Sequence, residues 1–167
     1  TKKVNPEHLS CVLKKLSESG AIIKTTNNSI SLSMPNPPKS VSIETMPFPG
    51  FPTDLQAQWV ALNIIASEPS NVIDTIYETR ISHVSELQKL GAQLELKNNQ
   101  IASQGNNKLK GAHIQATDIR ASAGLIIAGL CAHGETHIHN TDYIDRGYVA
   151  LEEKFRKLGA EISRTKS

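Results

Sequence analysis

The 167 residues, 38% of them hydrophobic, are enough for one ordinary globular domain with a buried core. A net charge of +2 is too small to indicate binding to nucleic acid or to a membrane surface, so we expect neither partner. Cys11 and Cys131 form no CxxC pair, which predicts free, buried cysteines. Because the first residues contain no apolar signal segment, we expect a cytoplasmic protein.

The first part of the chain predicts a helix, a β-hairpin and a strand, in that order. Asn5 and Pro6 are typical of a helix N-cap and first turn, and Gly20 is typical of a helix end. Apolar and polar residues then alternate on both sides of an Asn-Asn pair, which predicts the hairpin. The predicted strands are residues 21–25, 29–33 and 41–44.

The rest of the chain predicts two further units with a common order of elements, each containing one apolar and one amphipathic helix. The first of these units comprises a helix at 55–66, a strand at 72–75, a helix at 84–90 and a hairpin at 93–102. The second comprises a strand at 112–115, a helix at 119–132, a strand at 136–139, a helix at 148–158 and a strand at 161–163.

The sequence also repeats itself with a period close to 70 residues. Lys89-Leu90-Gly91-Ala92 recurs as Lys157-Leu158-Gly159-Ala160, and a looser copy contains Gly20, so that the three glycines lie 71 and 68 residues apart. A period this long is typical of a duplicated α/β unit rather than of a solenoid repeat. We predict one domain over residues 1–167, built from a partial unit and two further units, and we expect it to be a piece of a longer protein. The units are residues 1–46, 47–111 and 112–167.

The helices at 55–66 and 119–132 are apolar on nearly every side, and such a helix must be enclosed by other elements. Small residues in the second helix, among them Gly124 and Gly129, would let the two helices approach closely. We therefore predict an α/β fold (α+β in some schemes) with central helices and outer sheets. The segment 119–132 is too short for a membrane span, which takes roughly 20 residues.

Two Thr-Asp pairs precede these two apolar helices, Thr53-Asp54 and Thr117-Asp118. Either pair can simply cap its helix, but a carboxylate at the mouth of a central helix can also act as a general base. Arg120 lies in the first turn of the second helix, where the helix dipole disfavours a cation. Its position indicates an anion bound nearby; the alternative is a plain ion pair with Asp118.

Arg80 and Arg146 follow Asp54 and Asp118 by 26 and 28 residues, which are matched positions in the repeat. Each could be a solvated surface arginine, but with Arg120 the internal symmetry could gather three guanidinium groups around one anionic ligand. Arginine forks suit carboxylates and phosphates. His137 and His139 face the same side of a predicted strand, but two histidines alone do not complete a coordination set, so we expect no metal.

Three motifs occur in order along the chain, and together they resemble signatures of the UDP-N-acetylglucosamine 1-carboxyvinyltransferases, a family of enolpyruvyl transferases. The motifs are Pro49-Gly50-Phe51-Pro52-Thr53-Asp54-Leu55-Gln56-Ala57-Gln58, Ala116-Thr117-Asp118-Ile119-Arg120-Ala121-Ser122-Ala123 and Ile144-Asp145-Arg146-Gly147-Tyr148. The resemblance implies two similar domains, each an inside-out α/β barrel of three repeated units. It also implies transfer of the enolpyruvyl group of phosphoenolpyruvate to the 3-hydroxyl of UDP-N-acetylglucosamine with release of phosphate, without a cofactor. This is the first committed step of bacterial peptidoglycan synthesis.

The resemblance also implies roles for individual residues. Asp54 would bind the sugar nucleotide and take the proton of its 3-hydroxyl, and Ile76 falls where the family uses a valine to contact UDP-N-acetylglucosamine. Asp118 would assist proton transfer or orient Arg120. Three arginines would hold the carboxylate and phosphate of phosphoenolpyruvate: Arg80, Arg120 and Arg146.

Members of that family are much longer than this chain. Their N-terminal domain supplies a Lys-Asn pair, a further arginine and a mobile loop with the general acid, and the 167 residues contain none of these. We therefore expect this chain to be most of the second domain, inactive or nearly so without the N-terminal domain of the same enzyme. Two alternatives stay open: an enzyme like 5-enolpyruvylshikimate-3-phosphate synthase, which takes a shikimate alcohol, and a non-catalytic binding or interaction module.

Overall fold

The computed structural model of the protein describes residues 1–106 and 108–165. Within these ranges its helices are α1 (Ser10–Glu18), α2 (Gln56–Ile65), α3 (Ser82–Lys89), α4 (Ile119–Cys131), α5 (Asp142–Asp145) and α6 (Leu151–Lys157). Its strands are β1 (Ile22–Thr26), β2 (Ser29–Ser33), β3 (Ile43–Glu44), β4 (Ser70–Ile73), β5 (Leu94–Lys97), β6 (Gln100–Ser103), β7 (His113–Gln115) and β8 (His137–His139). Short 3₁₀ turns, Pro6–Leu9 and Thr53–Leu55, precede α1 and α2.

The two apolar helices, α2 and α4, pack directly against each other at the centre of the molecule, as predicted. Ile64 of α2 and Leu125 of α4 are fully buried. The backbones approach so closely at Gly124 that a Cβ there would lie 2.7 Å from the carbonyl oxygen of Ala57. The small residue at this position therefore sets the distance between the two helices.

The strands of the described residues form three sheets. β1 and β2 form an antiparallel hairpin, the order β3-β4-β6-β5 makes a four-stranded mixed sheet, and β7 pairs with β8 in parallel. Because β3 and β4 are also parallel, α2 and α4 are each the crossover of a βαβ unit. The described residues therefore contain two βαβ units, as expected for the duplicated α/β unit that the repeat predicted.

The sheets bury one face against the helices. In the sheet of β7 and β8, Ile114 is buried and Ile138 packs against the core. The histidines next to them along the two strands are exposed: His113, His137 and His139. This alternation is what a sheet with one solvated face requires. The predicted arrangement of central helices and outer sheets is confirmed for the described residues.

The predicted strand at 161–163 is wrong: these residues form no strand. Their counterpart in the preceding unit is β5, which pairs with β6 in a hairpin. Within the described residues no strand pairs with segment 161–163. The predicted units 47–111 and 112–167 also include residues 107, 166 and 167, which lie outside the described residues.

Two further predictions need correction near the C-terminal part of the chain. The helix predicted at 148–158 begins only at Leu151, because Ala150 has a left-handed backbone with φ of 46°, and the short helix α5 was not predicted.

Cys131 is exposed at the end of α4 rather than buried, and Cys11 is partly exposed; both are free thiols. None of the helices in the described ranges has the length and hydropathy needed to cross a bilayer.

The helix contact at Gly124 can be tested with a matched pair of substitutions in α4. Gly124→Ala places a methyl group against the backbone of Ala57, whereas Gly129→Ala places it 3.2 Å from a methyl group of the Thr136 side chain, which can adjust. Both changes gain similar helix propensity, about 1 kcal/mol. We expect G124A to be less stable than G129A by about 1–3 kcal/mol in urea unfolding, because overpacking costs that much. Equal stability would contradict the backbone contact.

Candidate active site

Asp54, Arg80 and Arg120 come together at one end of the central helix pair. Asp54 lies in the 3₁₀ turn before α2, and its side chain is 67% exposed. Arg120, in the first turn of α4, donates from Nε to Oδ1 of Asp54. Arg80, in the loop between β4 and α3, places Nη1 3.8 Å from the same oxygen. Two of the three predicted arginines therefore lie beside one carboxylate.

Arg80 is held mainly by its own loop. Its guanidinium lies 3.6 Å above the ring of Tyr77, and its backbone amide donates to the carbonyl of Tyr77 at 3.0 Å. Nη1 is buried and, within the part of the chain that the structure describes, has no hydrogen-bond partner. A buried donor without an acceptor is costly, so this nitrogen is a natural partner for an anionic ligand.

Asp118 is the N-cap of α4. Its carboxylate accepts hydrogen bonds from the backbone amides of Arg120 at 2.7 Å and Ala121 at 3.0 Å. The capping interpretation therefore describes this Thr-Asp pair. The alternative ion pair with Arg120 is wrong, because the Arg120 side chain reaches across to Asp54 instead. Asp118 thus orients the backbone of Arg120 rather than neutralising its charge.

The other Thr-Asp pair does something different. The 3₁₀ turn that contains Asp54 is preceded by Pro52 and has no side-chain cap. Thr53 instead donates from Oγ1 to Oδ2 of Asp74 at 2.7 Å, which ties the turn to the end of β4. The two pairs are alike in sequence, yet only the second one caps its helix.

Arg146 and Ile76 lie at the margin of this cluster. Arg146 is exposed, with its guanidinium 5.3 Å from the centre of the Tyr143 ring, and among the described residues it forms no ion pair. The neighbouring Gly147 packs against Ile119, so Arg146 lies beside the start of α4. The structure therefore does not bring Arg146 into contact with Asp54. The side chain of Ile76 is partly exposed, in the turn before Arg80.

Asp74 is the residue that sequence reasoning missed. It directly follows β4, is 2% exposed, and accepts hydrogen bonds from two threonine hydroxyls and from two backbone amides, those of Ile76 and Tyr77. Burial by itself raises the pKa of a carboxyl, but these donors outweigh it and hold the pKa of Asp74 below its ordinary value. An acidic residue directly after an apolar strand was the available signal in the sequence.

His83 is a second buried titratable group close to the site. It lies on α3, and its Nε2 has no hydrogen-bond partner within the described ranges. Burial lowers the pKa of His83 to about 4, although the carboxylates of Asp118 and Asp74 act in the opposite direction. The imidazole is therefore neutral at neutral pH, and the cationic character of the site comes from its arginines.

Histidines gather elsewhere, on the exposed face of β7 and β8. The ring of His113 stacks between His137 and His139, with centroid distances of 4.4 and 5.4 Å. The predicted common side of His137 and His139 is thus confirmed. Within the described ranges no group of three or more His, Cys, Asp or Glu side chains is arranged to hold a metal ion.

A family model described as EPSP synthase (3-phosphoshikimate 1-carboxyvinyltransferase) matches residues 1–155, and the chain belongs to this family. Two relatives are UDP-N-acetylglucosamine 1-carboxyvinyltransferases. That of Hydrogenovibrio crunogenus is 51% identical over 98% of this chain, and that of Chloroherpeton thalassium is 45% identical over 96%. The chain spans only 39% and 38% of their respective lengths.

Solved structures show the same fold. The enolpyruvyl transferase NikO from Streptomyces tendae superimposes with a TM-score of 0.84 at 27% identity, covering 95% of this chain and 37% of NikO. EPSP synthase from Acinetobacter baumannii gives a TM-score of 0.61 at 15% identity, covering 81% of this chain and 33% of that structure, and supports the fold alone. The prediction of a fragment of an inside-out α/β barrel is therefore confirmed, as is the resemblance on which it rested.

The buried imidazole predicts a specific loss of stability in acid. Because the pKa of His83 is about 4 in the folded chain and 6.5 is its ordinary value, only the unfolded chain gains this proton as the pH falls from 6.5 towards 4. The free energy of unfolding should therefore fall by about 3 kcal/mol on this account between about pH 7.5 and pH 4. Urea unfolding at the two pH values should show a smaller fall in the free energy of unfolding for His83→Gln, because glutamine does not titrate. An unchanged pH slope in H83Q would refute it.

Proposed function

We propose that this chain supplies part of the active site of an enzyme that transfers the enolpyruvyl group of phosphoenolpyruvate to the 3-hydroxyl of UDP-N-acetylglucosamine and releases phosphate. The observation that carries the proposal is the buried Nη1 of Arg80, which has no hydrogen-bond partner among the described residues and lies 3.8 Å from Asp54 beside the Arg120–Asp54 pair. This arrangement offers donors to an anion and a carboxylate to a hydroxyl group. The names of the two relatives support the sugar nucleotide as substrate.

The arginines would bind the two anionic groups of phosphoenolpyruvate. Arg80 has a donor without a hydrogen bond among the described residues, and Arg120 extends from the first turn of α4, where the helix dipole adds positive potential. Arg146, exposed beside the start of α4, would be the third arginine to bind the anionic groups of phosphoenolpyruvate. Preorganised cations of this kind also stabilise charge that remains on a tetrahedral adduct.

Asp54 would accept the proton of the attacking hydroxyl. Its side chain is exposed, so a sugar hydroxyl can reach it, but Oδ1 is taken by Arg120. If Arg120 turns to the substrate anion, that oxygen becomes available to the hydroxyl proton. The hydroxyl oxygen then bonds to the substituted alkene carbon of phosphoenolpyruvate, and a general acid outside this chain protonates the terminal carbon. Loss of a proton from the methyl group so formed, with cleavage of the carbon–oxygen bond to phosphate, would restore the alkene and release phosphate. Binding of one substrate would thus prepare the base for the other.

The remaining predicted residues have supporting roles in this scheme. Asp118 holds the backbone of Arg120 through the N-cap and so fixes the base of that side chain. Ile76, partly exposed in the turn that leads to Arg80, would contact the sugar nucleotide. The positions of these residues around the cluster support both roles, and the family resemblance suggested the role of Ile76.

The rest of the enzyme would come from the N-terminal domain, since this chain spans less than two-fifths of its relatives. We propose that the chain by itself has little or no activity. The complete enzyme would act in the bacterial cytoplasm in peptidoglycan synthesis, and thereby in cell-wall formation, cell shape and cell division. A shikimate alcohol is the weaker alternative, because identity to the UDP-sugar enzymes is 45–51% against 15% to EPSP synthase.

The proposal is tested by phosphate release from phosphoenolpyruvate with UDP-N-acetylglucosamine. We would assay the chain alone, and then a chimera in which the chain replaces the matching segment of the Hydrogenovibrio crunogenus enzyme. Activity in the chimera only is the expected result. An inactive but folded chimera would favour a non-catalytic module, and activity with shikimate 3-phosphate instead would favour the alternative substrate.

In an active chimera, Asp54→Asn should lower kcat by at least about 100-fold, because a general base contributes 10²–10⁴-fold. The matched control is Asp142→Asn, which neutralises an exposed aspartate in the first turn of α5. Steady-state kinetics should show kcat unchanged in D142N. Full activity in D54N would remove Asp54 from the role of base.

A further inference from the structure

Asp74 connects the separate segments that carry the site. Oδ2 accepts from Thr53 at 2.7 Å, and Oδ1 accepts from Thr45 at 2.8 Å and from the amides of Ile76 and Tyr77 at 2.9 Å each. Its own backbone is fixed as well, because its amide donates to the carbonyl of Asn99 at 3.0 Å. One buried carboxylate thus joins β3, the turn before α2 and the loop after β4.

The first connection bears on Asp54. Thr53 is its immediate neighbour in the 3₁₀ turn, and this turn has no side-chain cap of its own. The bond from Thr53 to the buried Asp74 therefore ties the turn to the four-stranded sheet. A small rotation of this turn would carry the exposed carboxylate of Asp54 away from Arg120.

The second connection bears on Arg80. The backbone amides of Ile76 and Tyr77 donate to Oδ1 of Asp74, and these two hydrogen bonds hold the first turn of the loop in place. Tyr77 in turn supports Arg80 twice, through the ring beneath the guanidinium and through the carbonyl that accepts from the Arg80 amide. The place of Arg80 thus depends on a turn that Asp74 holds.

We propose that Asp74 is a positioning residue that sets the separation between the carboxylate of Asp54 and the guanidinium of Arg80. This inference rests on the proposed function. Asp74 is suited to the task because a buried charge is tolerated only when its hydrogen bonds are made, which leaves the surrounding donors little freedom. Residues behind a reacting group commonly control its geometry in this way.

The chain offers a matched test, since two threonines donate to the same carboxylate. Thr53→Val removes the hydrogen bond that connects Asp74 to the turn with Asp54, and Thr45→Val removes the hydrogen bond that connects Asp74 to the residue after β3. Thr45 also accepts from the amide of Thr75 at 3.1 Å, so T45V leaves a further donor unpaired. Positioning by Asp74 therefore predicts opposite rankings of the two variants: T45V loses more stability, and T53V loses more activity.

Kinetics of the chimera and urea unfolding of the full chain measure the two rankings. We expect T53V to lower kcat and kcat/KM together by at least about tenfold, since a misplacement of 1 Å can cost 10²-fold. Thr53→Ser, which keeps the hydroxyl, should restore activity, and T45V should keep the kcat of the unmodified chimera. Loss of kcat in proportion to loss of stability would overturn the proposal, because Asp74 would then be structural only.

A second readout does not depend on catalysis. In the 167-residue chain, hydrogen exchange of the Arg120 Nε–H, measured by NMR, should be faster in T53V but unchanged in T45V, since this proton bonds to Asp54. Equal exchange in both variants overturns the positioning role whatever the activity. An inactive chimera with selectively faster exchange in T53V would refute the proposed function while supporting the role of Asp74.

Discussion

The direct contact between α2 and α4 is the constraint on which the rest of the structure depends. Each helix is the crossover of a βαβ unit, and the two backbones meet where Gly124 faces Ala57. Their N-terminal ends lie side by side, which is why Asp54 before α2 and Arg120 at the start of α4 can pair although 66 residues separate them. A larger residue at the contact would separate the helices and with them the two halves of this pair.

Charge at this end of the molecule is organised in two layers. The outer layer holds the guanidinium groups of Arg80 and Arg120 with the carboxylates of Asp54 and of the N-cap Asp118. Beneath it lie two buried titratable groups, the ionised Asp74 and the neutral His83. Because the pKa of each is depressed in the folded chain, acidification weakens both contributions to stability: that of His83 as the pH falls from 6.5 towards 4, and that of Asp74 at lower pH. The buried layer therefore contributes more to the stability of the fold at neutral pH than in acid.

Much of the fold was predictable because it depends on local patterns. Apolar periodicity located the central helices, and the repeated Lys-Leu-Gly-Ala segment indicated duplication. The failures lie where the local pattern does not set the backbone conformation. Segment 161–163 has the pattern of a strand but forms none, and Ala150 interrupts a helix that periodicity alone continues. Arg146 matches Arg80 in the repeat, yet it lies over Tyr143.

By itself, the sequence determined most of the order of elements up to β8, the duplication, the family and the residue types needed for anion binding and proton transfer, because these follow from spacing along one chain. Only the tertiary structure decided which groups meet. Thr53-Asp54 and Thr117-Asp118 are identical as dipeptides, but one carboxylate pairs with Arg120 and the other caps α4. The role of Asp74 is visible only in the folded chain. Its carboxylate joins Thr53 and Thr45, which precede it by 21 and 29 residues in the sequence, to the amide of Ile76, two residues after it. Hydrogen bonds and ion pairs of this kind depend on distances in space, which packing sets and local sequence does not.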